Sequence, residues 1–118
     1  MNRTLTDAQR ATLDVTIRKA EQACRAEISV FVGTAVGDPR AFATSLHNTL
    51  VLPARSVLIM VDPDRRVVQI VTGGHVRERL TDGEAQQAVA AMTEHFAEGD
   101  LAEGLRRGIE LLGEYARD

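Results

Sequence analysis

Glu27, His75 and Asp82 have side chains of the types that ligate a divalent cation, and Arg55, Arg77 and Arg79 are of the type that grips an anion such as phosphate. Together with Ser56 they are expected at one edge of a sheet, where the central strand starts and the third strand exits. The two chemistries conflict, and each residue has a plain structural use. Glu27 reads as a solvated strand-edge charge, His75 as a loop residue, Asp82 as a first-turn carboxylate favoured by the helix dipole, and the arginines as surface charge. Their spacing matches no familiar metal or catalytic motif, so no cofactor is expected; a bound divalent cation would use Glu27, His75 and Asp82. A second set, Asp38, Asp62, Asp64 and Arg65, belongs to the carboxyl ends of two parallel strands, where open α/β sheets usually bind ligands. Helix capping and turn formation account for these residues as well. Cys24 lies on an apolar helical stripe and reads as core, while His47 and His95 are isolated on helices.

The elements that must position these residues are legible in order. Ser56 to Val61 holds five apolar residues in six, too short for a helix and unbroken by polar alternation, as in a strand buried on both faces. Asp62-Pro63-Asp64-Arg65 supplies turn chemistry, and Arg66 to Thr72, rich in β-branched residues, returns as an antiparallel partner. Gly73-Gly74 ends it. Upstream, Ala26 to Gly33 alternates as a first strand, and Asp38-Pro39 opens a helix with Phe42, Leu46 and Leu50 along it. That helix makes a βαβ crossover, so the first two strands run parallel.

Three more helices flank the sheet. Thr6 to Gln9 has the form of a capping box, and Leu13, Ile17, Ala20 and Cys24 extend a stripe behind it, giving an N-terminal helix over residues 6–25. Thr81 to Glu84 repeats the box before Ala85, Ala88, Val89, Met92 and Phe96. Gly99 stops that helix and Asp100 caps the next, which carries Leu101, Leu105, Ile109 and Leu112. The expectation is an α/β fold: a three-layer α/β/α sandwich with a small mixed sheet, built from a βαβ crossover plus an antiparallel hairpin, and four helices. Its core should include Val30, Val57, Ile59, Ile70, Val89, Phe96, Leu105 and Ile109. Gly104-x-x-x-Gly108 imitates a membrane dimer motif, but the charges around it point to close helix packing instead.

A chain of 118 residues at 44% hydrophobic content fits one domain, residues 1–118, fraying only at its extreme ends. A net charge of −3, with no basic stripe and few aromatics, argues against nucleic acid. There is neither a transmembrane run nor an apolar signal core in MNRTLTDAQR, so the chain as given reads as cytoplasmic.

The strand AEISVFVG, the hairpin of Val57 to Val71 with its DxDRR turn, the GG-x-x-x-x-x-LTD helix start at Gly73 to Asp82, and FAEGDLAEGLRRGIELL at Phe96 to Leu112 together resemble the TPM domain family. The resemblance covers residues 26–112, in the manner of a related bacterial group. It implies an α/β/α sandwich, often serving membrane-associated complexes, with weak acid-phosphatase activity or divalent-cation binding in some members. The chain departs from the family pattern where Ala54-Arg55-Ser56 replaces an Asp-Asn-Gly before the central strand, which argues against calcium binding and phosphatase chemistry. Two functions of different class follow. One is a non-catalytic binding or accessory module for a protein partner, in keeping with a small chain without a nucleophile and its base; the other is a weak metal-assisted acid phosphatase.

Overall fold

The computed structural model describes residues 5–117. The expected fraying at the extreme ends lies largely outside them. The chain forms α1 (Asp7–Cys24), β1 (Glu27–Val32), α2 (Pro39–Asn48), β2 (Ser56–Asp62), β3 (Val67–Thr72), α3 (Asp82–Ala97) and α4 (Leu101–Tyr115). Two short 3-10 turns, Pro53–Arg55 and Val76–Glu78, lead into β2 and follow β3. The strand order is β1-β2-β3, with β1 parallel to β2 and β3 antiparallel. This is the expected mixed sheet. The radius of gyration is 13.0 Å, that of a compact globule.

Every residue of β2 is buried, because both of its neighbours are strands and both of its faces are covered. Val57, Ile59 and Val61 join Ile28 and Ile70 in the larger core under α1, α3 and α4, while Leu58, Met60 and Val71 meet Ala43 of α2 on the other face. Alternate residues of one strand thus feed two cores. Ile59, Leu105 and Ile109 are fully buried, and Val57, Ile70 and Phe96 nearly so. Val30 and Val89 are only half-buried against this core. Val30 sits on a strand with one open side, which explains its exposure.

The helix starts form as their sequences dictate. Thr6 with Gln9, and Thr81 with Glu84, close reciprocal capping boxes, and Asp38 and Asp100 each accept an N–H from the third residue of their helix. Pro39 occupies the first turn of α2, where its missing N–H costs nothing. Gly99 adopts φ 82° between α3 and α4, a left-handed conformation that suits glycine. A Cβ on Gly104 or Gly108 would overlap Phe96 or Met92, and one on Gly113 would come within 2.8 Å of Ala20 Cβ. These glycines let α4 lie close to α3 and α1, so the Gly-x-x-x-Gly spacing serves packing within the domain. Among the described residues no helix is long and apolar enough to cross a membrane.

Candidate functional site

The start of β2 gathers backbone from several elements. Ser56 lies opposite Glu27 in the parallel register, its carbonyl accepts from Gly73 N at 2.9 Å, and His75 N donates to Ala54 O at 3.0 Å. The expected segments therefore meet there, but their side chains work on backbone. Arg77 donates to the Thr72 carbonyl. Arg79 reaches Cys24 O at 2.6 Å and Ala116 O at 3.3 Å, tying the C-terminal ends of α1 and α4 to the loop after β3. Ser56 Oγ donates to Leu52 O at 2.6 Å, which commits the hydroxyl to the preceding turn. Glu27, Arg55 and Asp82 are exposed, and His75 lies 3.6 Å from Glu78 in a surface pair. Among the described residues no group of three or more His, Cys, Asp or Glu is arranged to hold a metal ion, so Glu27, His75 and Asp82 do not gather into the set their types suggested. The segments converge, but the side chains of Glu27, Arg55 and Asp82 stay exposed.

His47 belongs to this edge, and sequence reasoning missed it. It is 5% exposed, and its Nε2 lies 2.9 Å from the Ser56 carbonyl. A carbonyl only accepts, so the ring must carry its proton on Nε2. Its signal was its position: with Ala43 it forms the most deeply buried line of α2, one step around the helix from Phe42, Leu46 and Leu50. Gly73 completes the edge, since any Cβ there would collide with the Pro53 and Ala54 carbonyls.

At the other end of β2 the buried Asp62 carboxylate accepts from Ala35 N at 2.8 Å, Asp64 N at 3.1 Å and Arg65 N at 3.2 Å. Burial alone would raise its pKa. The three N–H donors and the nearby Arg65 guanidinium outweigh that and hold the carboxyl below its ordinary range. Arg65 donates to Ala35 O at 3.3 Å and Gly37 O at 2.8 Å, while Asp38 caps α2. The loop after β1 is thus tied to the carboxyl end of β2, at the place where an open α/β sheet normally takes its ligand.

The hairpin turn is shifted by one residue from the expected Asp62 to Arg65 and runs from Pro63 to Arg66, because Asp62 is the last residue of β2. Arg66 is not the first residue of β3 but the last of the turn, with φ 55°. Beside this turn lies a cleft of about 410 Å³ between the hairpin and the end of α3. Asp62 and Asp64 border it, together with Arg66, Val67, Phe96 and Gly99. Cys24 is buried, as its stripe implied, and burial pushes its thiol pKa up, away from a reactive thiolate.

Two uncharacterized proteins of Mycobacterium tuberculosis, Rv2468c and MT2543, are each 29% identical to the chain over 105 residues, 89% of this chain and 63% of theirs. The chain therefore spans a little under two thirds of the length of these curated relatives. Its fold is similar to the NMR structure of BA42 from the psychrophilic bacterium Bizionia argentinensis, with a TM-score of 0.84 at 22% identity over 98% of this chain and 83% of that one. The N-terminal domain of a P. gingivalis protein gives 0.82 at 22% over 94% and 75%, and that of cg2496 from Corynebacterium glutamicum 0.76 at 18% over 96% and 74%. Identities this low speak for a shared fold.

The TPM likeness is overturned, because the family profile that matches is a different one. The pieces that suggested it are a strand hairpin, a capping box and a Gly-Asp stop and cap, devices that any chain of this topology can use. With it goes the support it lent to membrane complexes, cation binding and phosphatase activity. The matching profile, over residues 1–113, is that of a domain of unknown function, DUF5130, and the chain belongs to that family.

Proposed function

We propose that the domain is a non-catalytic binding or accessory module. One observation carries the reading: at the two ends of β2 Asp62, Arg65, Arg77 and Arg79 are committed to backbone atoms, while among the described residues Glu27, His75 and Asp82 form no group that could hold a metal ion. Asp62 is satisfied by three N–H groups, Arg65 by two carbonyls, Arg77 by Thr72 O and Arg79 by Cys24 O and Ala116 O. A general base or an anion clamp must have its polar atoms facing the substrate, and withdrawing these would release the loops they hold.

The test is turnover of p-nitrophenyl phosphate at acidic and neutral pH, with and without magnesium or calcium, beside thermal denaturation with the same ions. The expected result is no turnover above the buffer rate and no rise in melting temperature, since an ion bound only to the folded state must raise it. Turnover that disappears in both His75→Ala and Asp82→Asn but survives in Cys24→Ala would establish an enzyme and defeat the reading.

A further inference from the structure

We infer that the cleft between the β2–β3 hairpin and the end of α3 is a binding site for a small amphipathic anion, a short apolar body ending in a carboxylate or similar group. The cleft holds about 410 Å³, within the range of small-molecule sites, and its walls include Val61, Val67, Val68, Phe96 and Ala97. Val61 and Val68 face each other across the strand register, so one wall is a paired apolar step of the sheet and the other is the last turn of α3. Such walls suit an apolar body.

The polar end is set by Arg66. Arg65, one residue earlier, spends its guanidinium on Ala35 O and Gly37 O. Arg66 lines the cleft, and among the described residues its side chain has no hydrogen-bond or ion-pair partner. It also sits at φ 55°, a conformation that glycine or asparagine adopts at lower cost. A turn chosen for stability alone would place glycine there; a guanidinium at that point has its use in what it can reach.

The other polar groups on the rim are engaged. Asp62 is saturated by backbone N–H groups, Thr93 donates its hydroxyl to Val89 O at 2.8 Å, and Asp64 already has a partner. The uncommitted polar group on the cleft is therefore a cation beside apolar walls. This complements a carboxylate with a short hydrocarbon tail, the guanidinium meeting the carboxylate through charge-assisted hydrogen bonds. The site rests on the binding-module reading but fails separately: phosphate-ester turnover defeats that reading, and the titrations below defeat the cleft alone.

The experiment is an amide NMR titration of the isotope-labelled chain with octanoate and, in a second arm, with octylammonium, which has the same tail and the opposite charge. Octanoate is expected to shift the Val68, Thr93, Ala97 and Gly99 amides saturably, with octylammonium leaving them in place. Arg66→Gly removes the guanidinium and relieves the left-handed backbone, so loss of binding in this variant cannot be put down to unfolding. It should melt no lower than the parent and bind octanoate about ten-fold more weakly. Shifts confined to other parts of the chain, equal shifts with octylammonium, or an unchanged affinity in Arg66→Gly would each overturn the proposal.

Discussion

The two ends of β2 solve the same problem in opposite ways. At the amino end the hydrogen-bond acceptors are backbone carbonyls, of Thr72, Cys24, Ala116 and Ser56, and the chain meets them with Arg77, Arg79, His47 and the Gly73 amide. At the carboxyl end the donors are backbone N–H groups, of Ala35, Asp64 and Arg65, and a single carboxylate meets them all. The amino end spreads its bonds over several side chains, whereas the carboxyl end gathers its three N–H donors on Asp62, with Arg65 holding the Ala35 and Gly37 carbonyls beside it. A distributed clamp should lose stability in small steps and a concentrated one in a single large step. Gly73, which is held by the lack of space for a Cβ as well as by its bond to Ser56 O, should breach that rule.

The largest expected effect tests that exception. Gly73→Ala forces a methyl group into the Pro53 and Ala54 carbonyls and should cost about 3 kcal/mol, the upper end for atoms pushed into a packed site. Urea denaturation measures it, and a loss below about 1 kcal/mol would show that the turn before β2 yields easily. Next comes Asp62→Ala, which strips three N–H groups of their acceptor. Two of these lie in an exposed turn and can rehydrate, leaving Ala35 N as the buried orphan, so about 2 kcal/mol is expected.

Acid should sharpen the same contrast. The Asp62 carboxyl titrates below its unfolded value, so its contribution is fully present above that value, about pH 4, and is lost as pH falls through the lower folded pKa. Glu103 shifts the same way, chiefly through its hydrogen bond with Arg106. Melting temperature should therefore fall as the solution is acidified below about pH 4, and Asp62→Asn should flatten part of that slope and leave the share due to Glu103. A slope unchanged in Asp62→Asn would locate the acid sensitivity elsewhere.

Single members of the amino-end clamp should cost less. Arg79→Ala removes two bonds to carbonyls at the ends of α1 and α4 and is expected to lower stability by about 1.5 kcal/mol, with a matching rise in amide exchange near Ala116. Thr81→Ala, which opens the capping box of α3, should cost about 1 kcal/mol by thermal or urea denaturation. If Arg79→Ala outweighed Asp62→Ala, the distributed and concentrated ends would have to be exchanged.

What the sequence made legible was local. Asp38-Pro39 and the two Thr-led boxes bond within three residues of themselves, so their spacing alone predicts them, and the apolar block of β2 identifies a strand with two covered faces. What it hid was long-range. Arg79 and Cys24 are 55 positions apart, and arginine acting on a carbonyl has no complementary residue type to betray it, so it reads as surface charge. His47 looked isolated because its partner is a backbone atom nine residues on, across a loop. The cleft depends on how the hairpin lies against the last turn of α3, and Arg66 was read as a strand residue because its left-handed φ leaves no trace in its type.

The three glycines of α4 bear on how the chain is made. Glycine inside a helix costs about 1 kcal/mol each relative to alanine, so α4 is a poor helix until α1 and α3 are there to receive it. Its neighbour α1 is synthesised first, yet the surface that covers it emerges from the ribosome only after the sheet and α3 have been made. Throughout that interval Leu13, Ala20 and Cys24 lack their final partners, and the nascent chain cannot close its larger core by folding in order of synthesis.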